Sequence, residues 1–240
     1  MDVAAIIPTY NEAQNLPSLV SALLDLDLLA HVVIVDDNSP DGTGEIADAL
    51  SRQRPQVRVI HRSAKLGLGT AYLAGFETAI DLGSDAVLTM DADFSHHPRF
   101  VPAVLASAAE YDLVIGSRYV PEGGTSNWSL ARRGLSHTAN LVARHVLGLP
   151  VRDCTAGFRC YRREILQRVE LASIRSSGYS FLVEMLFKCH RAGFRIAEVP
   201  ILFEDRFQGA SKISRDEILK AILTVLRLAR EPRPDQSRPV

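Results

Sequence analysis

The sequence predicts an α/β fold, a twisted and mostly parallel central sheet flanked by helices, on three observations. Short apolar runs recur through the first half: VAAII (3–7), VVIV (32–35), VRVI (57–60), AVLTM (86–90) and DLVIG (112–116). Amphipathic helical patterns lie between or after them, at roughly 13–25, 41–53, 69–81 and 98–110, which is the β-α alternation of a parallel sheet. A chain of 240 residues that is 47% hydrophobic can enclose one sizeable core.

Each apolar run is too short for a buried helix and is followed by a polar cluster, so each reads as a buried strand with a loop at its carboxyl end, where ligands of such sheets bind. After Ser117 the rhythm breaks. A Gly/Ser/Asn loop around PEGGTSNW precedes a helical run at about 130–147, then short strands and helices, and a last helix near 214–230. This second half reads as elaboration on the sheet. Pro232, Pro234 and Pro239, with few apolar neighbours, mark residues 231–240 as a disordered tail. There is no internal repeat.

Charge narrows the function classes. Lys and Arg number 27 against 28 Asp and Glu, so no net field draws the protein onto nucleic acid or an anionic surface, and anion binding has to be local. Cys154, Cys160 and Cys189 make neither an even disulfide set nor a CxxC pattern; they read as buried, reduced thiols of a cytosolic protein. The opening MDVAAIIP lacks a charged n-region, and no apolar run is long enough to span a bilayer, so a soluble or peripheral protein is expected.

Polar motifs sit at the predicted strand ends. PTYNE (8–12) places Tyr10, Asn11 and Glu12 between the first strand and helix; it reads either as a ligand loop or as a turn with Asn11 capping and Glu12 favouring the helix dipole. DDNSPDGT (36–43) adds Asp36 and Asp37, which point opposite ways, so one faces a ligand while the other serves the turn. MDADFSHHP (90–98) carries more information. Asp91 and Asp93, spaced i, i+2, fall on one side, and two adjacent carboxylates at a sheet edge call for a hard cation such as Mg²⁺ or Mn²⁺, with diphosphate oxygens completing its shell. His96 and His97 read as packing or capping residues at a helix start marked by Pro98. GLGTAY, after Lys65, is a glycine-rich turn into a helix and not a P-loop.

Together PTYNE, VDDNSPDGT, KLGLGTAY, MDADFSHHP, GSRYV, CTAGFRCYR and FEDRFQGASK, in that order from about Ala5 to Lys212, resemble the polyprenol (dolichyl) phosphate mannose synthases, inverting family 2 glycosyltransferases of the GT-A type. The resemblance implies a single Rossmann-like GT-A domain over 1–230, nucleotide-binding to about 116 and acceptor-binding over about 117–230. It implies that Pro8, Tyr10, Glu12, Val35 and Asp37 surround the guanosine of GDP-mannose, and that Asp91, Ala92 and Asp93 meet the ribose-diphosphate and the metal, Asp93 foremost. Arg206 and Lys212, in FxxRxxGxSK with Gly209 as a hinge, would close over the donor diphosphate and act in catalysis with Asp91 and Asp93. Arg118, Arg132 and Ser136 match the residues that hold the acceptor phosphate; Arg132 and Ser136, at i, i+4, share a helix face. RRGLSHTAN departs from the family pattern, which leaves Arg133 and His137 unassigned and lets Arg133 trade roles with Arg132. Arg159 and Tyr161 read as strand residues whose Arg braces the acidic cluster or faces the acceptor phosphate, and Glu184 either orients an arginine or lies on a helix surface.

The implied reaction moves mannose to polyprenyl phosphate with inversion. A phosphate monoester is already largely anionic near neutral pH, so no carboxylate is needed as an obligatory base. An acceptor in a bilayer places the protein at the cytoplasmic face of a membrane, through peripheral contact or a separate membrane subunit. The run at 216–230, with Ile218, Leu219, Ile222, Leu223, Val225 and Leu226 among Lys220, Arg227 and Arg230, fits an interfacial helix or one packed on the domain. Two other functions remain: a related transferase using UDP-glucose or another carrier lipid, and a catalytically silent nucleotide-binding subunit.

Overall fold

The computed structural model describes residues 1–204 and 215–231. In chain order its elements are β1 (Val3–Thr9), α1 (Leu16–Leu24), β2 (His31–Asp36), α2 (Thr43–Gln53), β3 (Val57–His61), α3 (Leu68–Asp81), β4 (Ala86–Thr89), α4 (Val101–Ser107), β5 (Leu113–Ser117) and β6 (Gly124–Thr125). Then come α5 (Leu130–Leu147), β7 (Arg159–Arg162), α6 (Arg163–Arg168), α7 (Tyr179–Arg191), β8 (Ile196–Pro200), β9 (Leu202–Phe203) and α8 (Arg215–Ala229). Every apolar run expected as a strand forms one.

Seven strands make the main sheet in the order β3-β2-β1-β4-β7-β5-β8, and β6 pairs with β9 in a separate ribbon. All neighbours in the main sheet are parallel except at β7, which runs antiparallel to both β4 and β5. Expectation and structure part here: the second half is not only elaboration, because it supplies β7 and β8 to the same sheet. Helices cover both faces, which explains why the strands are apolar without alternation. Ala4, Ile6, Val33 and Val35 face α3, α5, α7 and α8 on one side; Ala5, Ile7, Val32 and Ile34 face α1, α2 and α4 on the other. The approach of α3 to β1 requires glycine, since a Cβ on Gly75 would lie 2.3 Å from Ile6 Cγ2.

Helix boundaries follow local chemistry. α1 starts at Leu16, with Asn15 at the N-cap position, so Asn11 is not its cap; Asn11 instead adopts a left-handed φ of 61° in the loop before it. The 98–110 pattern splits into a 3₁₀ turn at Pro98–Phe100 and α4. α5 coincides with the expected 130–147, opened by Ser129, whose hydroxyl accepts from the Arg132 N–H, and closed by Gly148 at φ 64°. The three cysteines are buried and unpaired, and burial pushes each thiol up to about 12. Residues 232–240, with the expected tail prolines, lie outside the described residues.

Candidate active site

Parallel strands β1, β2, β4 and β5 deliver their carboxyl ends to one edge, and the polar motifs converge there. Thr9 at the end of β1 pairs in register with Asp36 of β2, and its hydroxyl donates to Asp36 Oδ1 at 3.1 Å. Ser39 donates to the same carboxylate from its N–H and its hydroxyl. Asp36 is therefore the turn-serving member of its pair. The loops after β1 and β2 are laced together: the N–H groups of Asn11, Glu12 and Ala13 donate to Ser39, Thr43 and Asp41.

Asp37 faces the other way, into a buried pair with Arg62, and also accepts from the Gly67 N–H at 3.1 Å. Arg62 donates further to Thr70 Oγ1 and the Gly67 carbonyl, so KLGLGTAY is the backbone clamp that holds Asp37 in place. Sequence reading missed Arg62, which lies in no motif. Tyr10 is exposed, with the Lys65 ammonium 3.9 Å from its ring centroid. Glu12 accepts from the Asn15 side-chain amide. Pro8 is half-buried beside Val35, whose side chain is wholly within the core beneath the loops, as is nearly all of Ala92.

Beyond β4 the chain turns sharply. Asp93 is 3% exposed, and its Oδ1 accepts from the Ser95 N–H at 3.0 Å and hydroxyl at 2.6 Å, a geometry made possible by a left-handed φ of 62° at Phe94. A bulky residue in that region stores strain, as ligand-gripping loops often do. His96 is buried, stacks on Phe158 and accepts from the Asp91 N–H at its Nδ1. Burial lowers its pKa, outweighing the upward pull of Asp91 and Asp93, so the ring is neutral at pH 7 and supports the loop as packing. His97 accepts from the Arg99 N–H, capping the 3₁₀ turn as expected.

Asp91 borders a gap in the packing. A Cβ on Gly157 would lie 3.4 Å from the Tyr72 hydroxyl, 3.5 Å from His96 Cε1 and 3.7 Å from Asp91 Oδ1. The Tyr72 hydroxyl is fully buried and has no hydrogen-bond partner among the described residues. Thr89 fixes this cradle by donating to the Gly157 carbonyl at 2.7 Å. No group of three or more His, Cys, Asp or Glu suited to a metal occurs among the described residues. Asp91, at this cradle, and Asp93, two residues on, are oxygen donors of the type that a hard divalent cation takes.

Further along the same sheet edge, Arg118 follows β5 and is gripped by Asp153: Nε and Nη2 donate to its two oxygens at 2.7 Å each, and Nη2 also donates to Thr155. Arg118 lines an open pocket of about 570 Å³ with Tyr119, Leu130, Arg133 and His137. Ser136 reaches this region through Tyr119, whose hydroxyl donates to its Oγ at 2.7 Å. Arg132 instead lies 4.1 Å from the Trp128 ring centroid and is not among the pocket's lining residues. Of the adjacent arginines, it is Arg133 that lines the pocket with Arg118. An aromatic path joins the two sides, since Phe203 contacts both His96 and Trp128 edge-on. Phe203 begins FEDRFQGASK; Arg206, Gly209 and Lys212 lie outside the described residues.

Arg159 does neither thing expected of it. It is fully buried in β7 and donates to the carbonyls of Ala156, Cys154 and Leu182, so it braces the backbone around Gly157 and not a carboxylate or a phosphate. Glu184 is buried and does orient an arginine, Arg227 of α8, at 2.6 Å.

The model of the family described as glycosyl transferase family 2 matches residues 4–170. The polyprenol monophosphomannose synthase of Mycolicibacterium smegmatis is 44% identical over 237 residues, covering 98% of this chain and 89% of that protein. The undecaprenyl-phosphate mannosyltransferase of Micrococcus luteus is 45% identical over 227 residues, 95% and 93% of the two chains. Among solved structures, glucosyl-3-phosphoglycerate synthase from Mycobacterium tuberculosis, in complex with Mn²⁺, uridine diphosphate and phosphoglyceric acid, superposes with a TM-score of 0.69 at 21% identity, over 98% of this chain and 80% of that one. That likeness concerns the fold, which is of the GT-A type.

Proposed function

The chain belongs to glycosyl transferase family 2, and from that premise we propose that it transfers mannose from GDP-mannose to a polyprenyl phosphate with inversion, releasing GDP. The observation that carries the reading is the pair of relatives at 44% and 45% identity over nearly the whole chain, both named for mannosyl transfer to or onto a polyprenyl phosphate. The site supports it chemically: an acidic strand-end loop for a metal and diphosphate stands beside an arginine-lined pocket suited to a phosphate.

On this reading Tyr10, Glu12 and Asp37 shape the nucleoside end, with Pro8 and Val35 contributing backbone and packing. Asp91 and Asp93 would hold Mg²⁺ or Mn²⁺, which when bound offsets the charge of the diphosphate. Arg118 and Arg133, with Ser136 and Tyr119, position the acceptor phosphate, and Arg132 supports the loop through Trp128. The acceptor is its own nucleophile: its second pKa is about 6, so its oxygen attacks the anomeric carbon without a protein base. Attack from the face opposite GDP converts the α-linked donor into a β-mannosyl phosphate. Arg206 and Lys212 are proposed to neutralise the departing diphosphate. Positioning and preset charge then account for the rate.

The protein is proposed to work at the cytoplasmic face of a membrane; among the described residues no helix is long and apolar enough to cross one. Transfer of radiolabelled mannose to a short polyprenyl phosphate in detergent tests the reading. Metal-dependent lipid product with GDP-mannose, lost in Asp93→Ala, is expected. Product only with UDP-glucose would move the donor, and none with any sugar nucleotide would leave a silent binding subunit.

A further inference from the structure

Tyr72 carries a polar atom that the packing does not use. Its ring is fully buried in the core on α3, stacked on Phe76 at 6.2 Å and on Phe181 at 5.9 Å between centroids. A phenylalanine would make the same stacks. The hydroxyl is buried as well and has no hydrogen-bond partner among the described residues, and a buried hydroxyl left unpaired costs stability. Its presence calls for a reason outside the resting core.

The cradle at Gly157 supplies one. The point where a Gly157 Cβ would stand is 3.4 Å from the Tyr72 hydroxyl and 3.7 Å from Asp91 Oδ1, so both oxygens border the same small space. That space is kept from collapsing. Thr89 donates to the Gly157 carbonyl at 2.7 Å, and Arg159 donates to the carbonyls of Ala156 and Cys154 on the same loop. The third wall is His96, with Cε1 3.5 Å from the same point. Its Nδ1 lies 3.7 Å from Asp91 Oδ2 but already accepts from the Asp91 N–H, so that nitrogen is no donor to the carboxylate. Tyr72 is a donor at any working pH, because burial and the Asp91 charge both push its pKa up. Asp91 keeps 29% of its side chain exposed, whereas Asp93 is buried and held by Ser95, so Asp91 is the carboxylate with more freedom to turn.

We propose that Tyr72 is a positioning residue for Asp91: when metal and diphosphate bind, its O–H donates to the Asp91 carboxylate over Gly157, directly or through one water, and fixes the carboxylate's orientation. The inference rests on the metal role proposed for Asp91. A hydrogen bond from the buried side of a ligating carboxylate lessens the ordering that binding has to supply.

Tyr72→Phe removes the hydroxyl alone. Without metal or nucleotide its melting temperature should equal or exceed that of wild type; a lower one would show that the hydroxyl already serves the resting fold and would overturn the proposal. Binding is read without turnover, by equilibrium dialysis of radiolabelled GDP against the full chain over a Mn²⁺ series. Tyr72→Phe should raise the Mn²⁺ concentration for half-maximal GDP retention about tenfold or more, and should add nothing further in an Asp91→Asn background. An unaltered midpoint, or no Mn²⁺-dependent retention by wild type, sinks the proposal. So does a loss of equal size in both backgrounds, which would send the hydroxyl to the ligand itself. Mannose transfer from GDP-mannose is measured alongside. A shifted midpoint with no transfer by either protein would fault the proposed reaction and leave Tyr72 with Asp91, whereas equal midpoints with transfer by both would fault the role of Tyr72 alone.

Discussion

Asp153 holds Arg118 by both ends, with Nε and Nη2 each 2.7 Å from a carboxylate oxygen, and it does so with no exposure of its own. Burial alone would raise the Asp153 carboxyl, but the Arg118 charge and hydrogen bonds outweigh it and keep it low. Arg118 can therefore stand at the pocket in one orientation before any ligand arrives. Asp153→Ala leaves a buried guanidinium without its counter-charge, and denaturant titration should show a loss of about 3–5 kcal/mol. Unchanged stability would mean that Arg118 turns freely to water.

Ser95 donates its N–H and, at 2.6 Å, its hydroxyl to Asp93 Oδ1, and so fixes the carboxylate proposed to hold the metal. Ser95→Ala should weaken apparent metal affinity about 10–100-fold, as loss of an outer partner of a ligand does, with much of the rate recovered at saturating Mn²⁺. Metal titration of initial rates measures this, and an unaltered midpoint would remove Ser95 from the site.

Gly157 should be replaceable structurally but not functionally. The contacts of an added methyl, 3.4–3.7 Å, are ordinary, so Gly157→Ala should leave stability unchanged or raise it by about 0.4–1 kcal/mol through the unfolded chain. Because the methyl fills the cradle beside Asp91, transfer should fall by about tenfold or more at unchanged melting temperature. Wild-type kinetics in this variant would show the cradle to be a packing gap.

Gly75 is required by close packing. Gly75→Ala sets a methyl against Ile6 Cγ2 and should destabilise the fold by about 1–3 kcal/mol. Ile6→Ala removes the obstructing atoms, so the double variant should be less destabilised than the sum of the singles, a coupling read by a double-mutant cycle.

Glu184 makes α8 docking sensitive to acid. Burial favours its protonated form, yet hydrogen bonds from Arg227 and Ser176 outweigh that and hold its pKa below the ordinary 4.5. A depressed folded pKa gives stability that is complete above the unfolded value and is lost as pH falls through the folded one. Melting temperature should therefore drop as pH is taken below about 4.5, and Glu184→Gln should flatten that part of the profile while lowering stability near neutrality. A variant with the wild-type acid slope would assign the dependence to other carboxylates such as Asp153 and Asp112, which are also held low.

The sequence by itself determined the β-α alternation, the strand-end positions of PTYNE, DDNSPDGT and MDADFSHHP, the bounds of α5 and the packing or capping roles of His96 and His97. These are local: an apolar run of strand length, a cap such as Ser129 and a turn residue act through their immediate neighbours, so the one-dimensional pattern records them. Tertiary structure alone decided the antiparallel entry of β7 between β4 and β5, since strand order depends on long-range pairing that leaves little mark on composition. It also decided partners: Arg62 for Asp37, Asp153 for Arg118, Arg227 for Glu184, and Arg133 rather than Arg132 at the pocket. Which arginine meets which carboxylate follows from where helices and loops come together in space, and a buried charge takes the nearest opposite one. For α8 the sequence shows the apolar period, while only packing reveals that the domain covers Thr224, Val225 and Leu228 and leaves Leu219, Ile222, Leu223 and Leu226 outward.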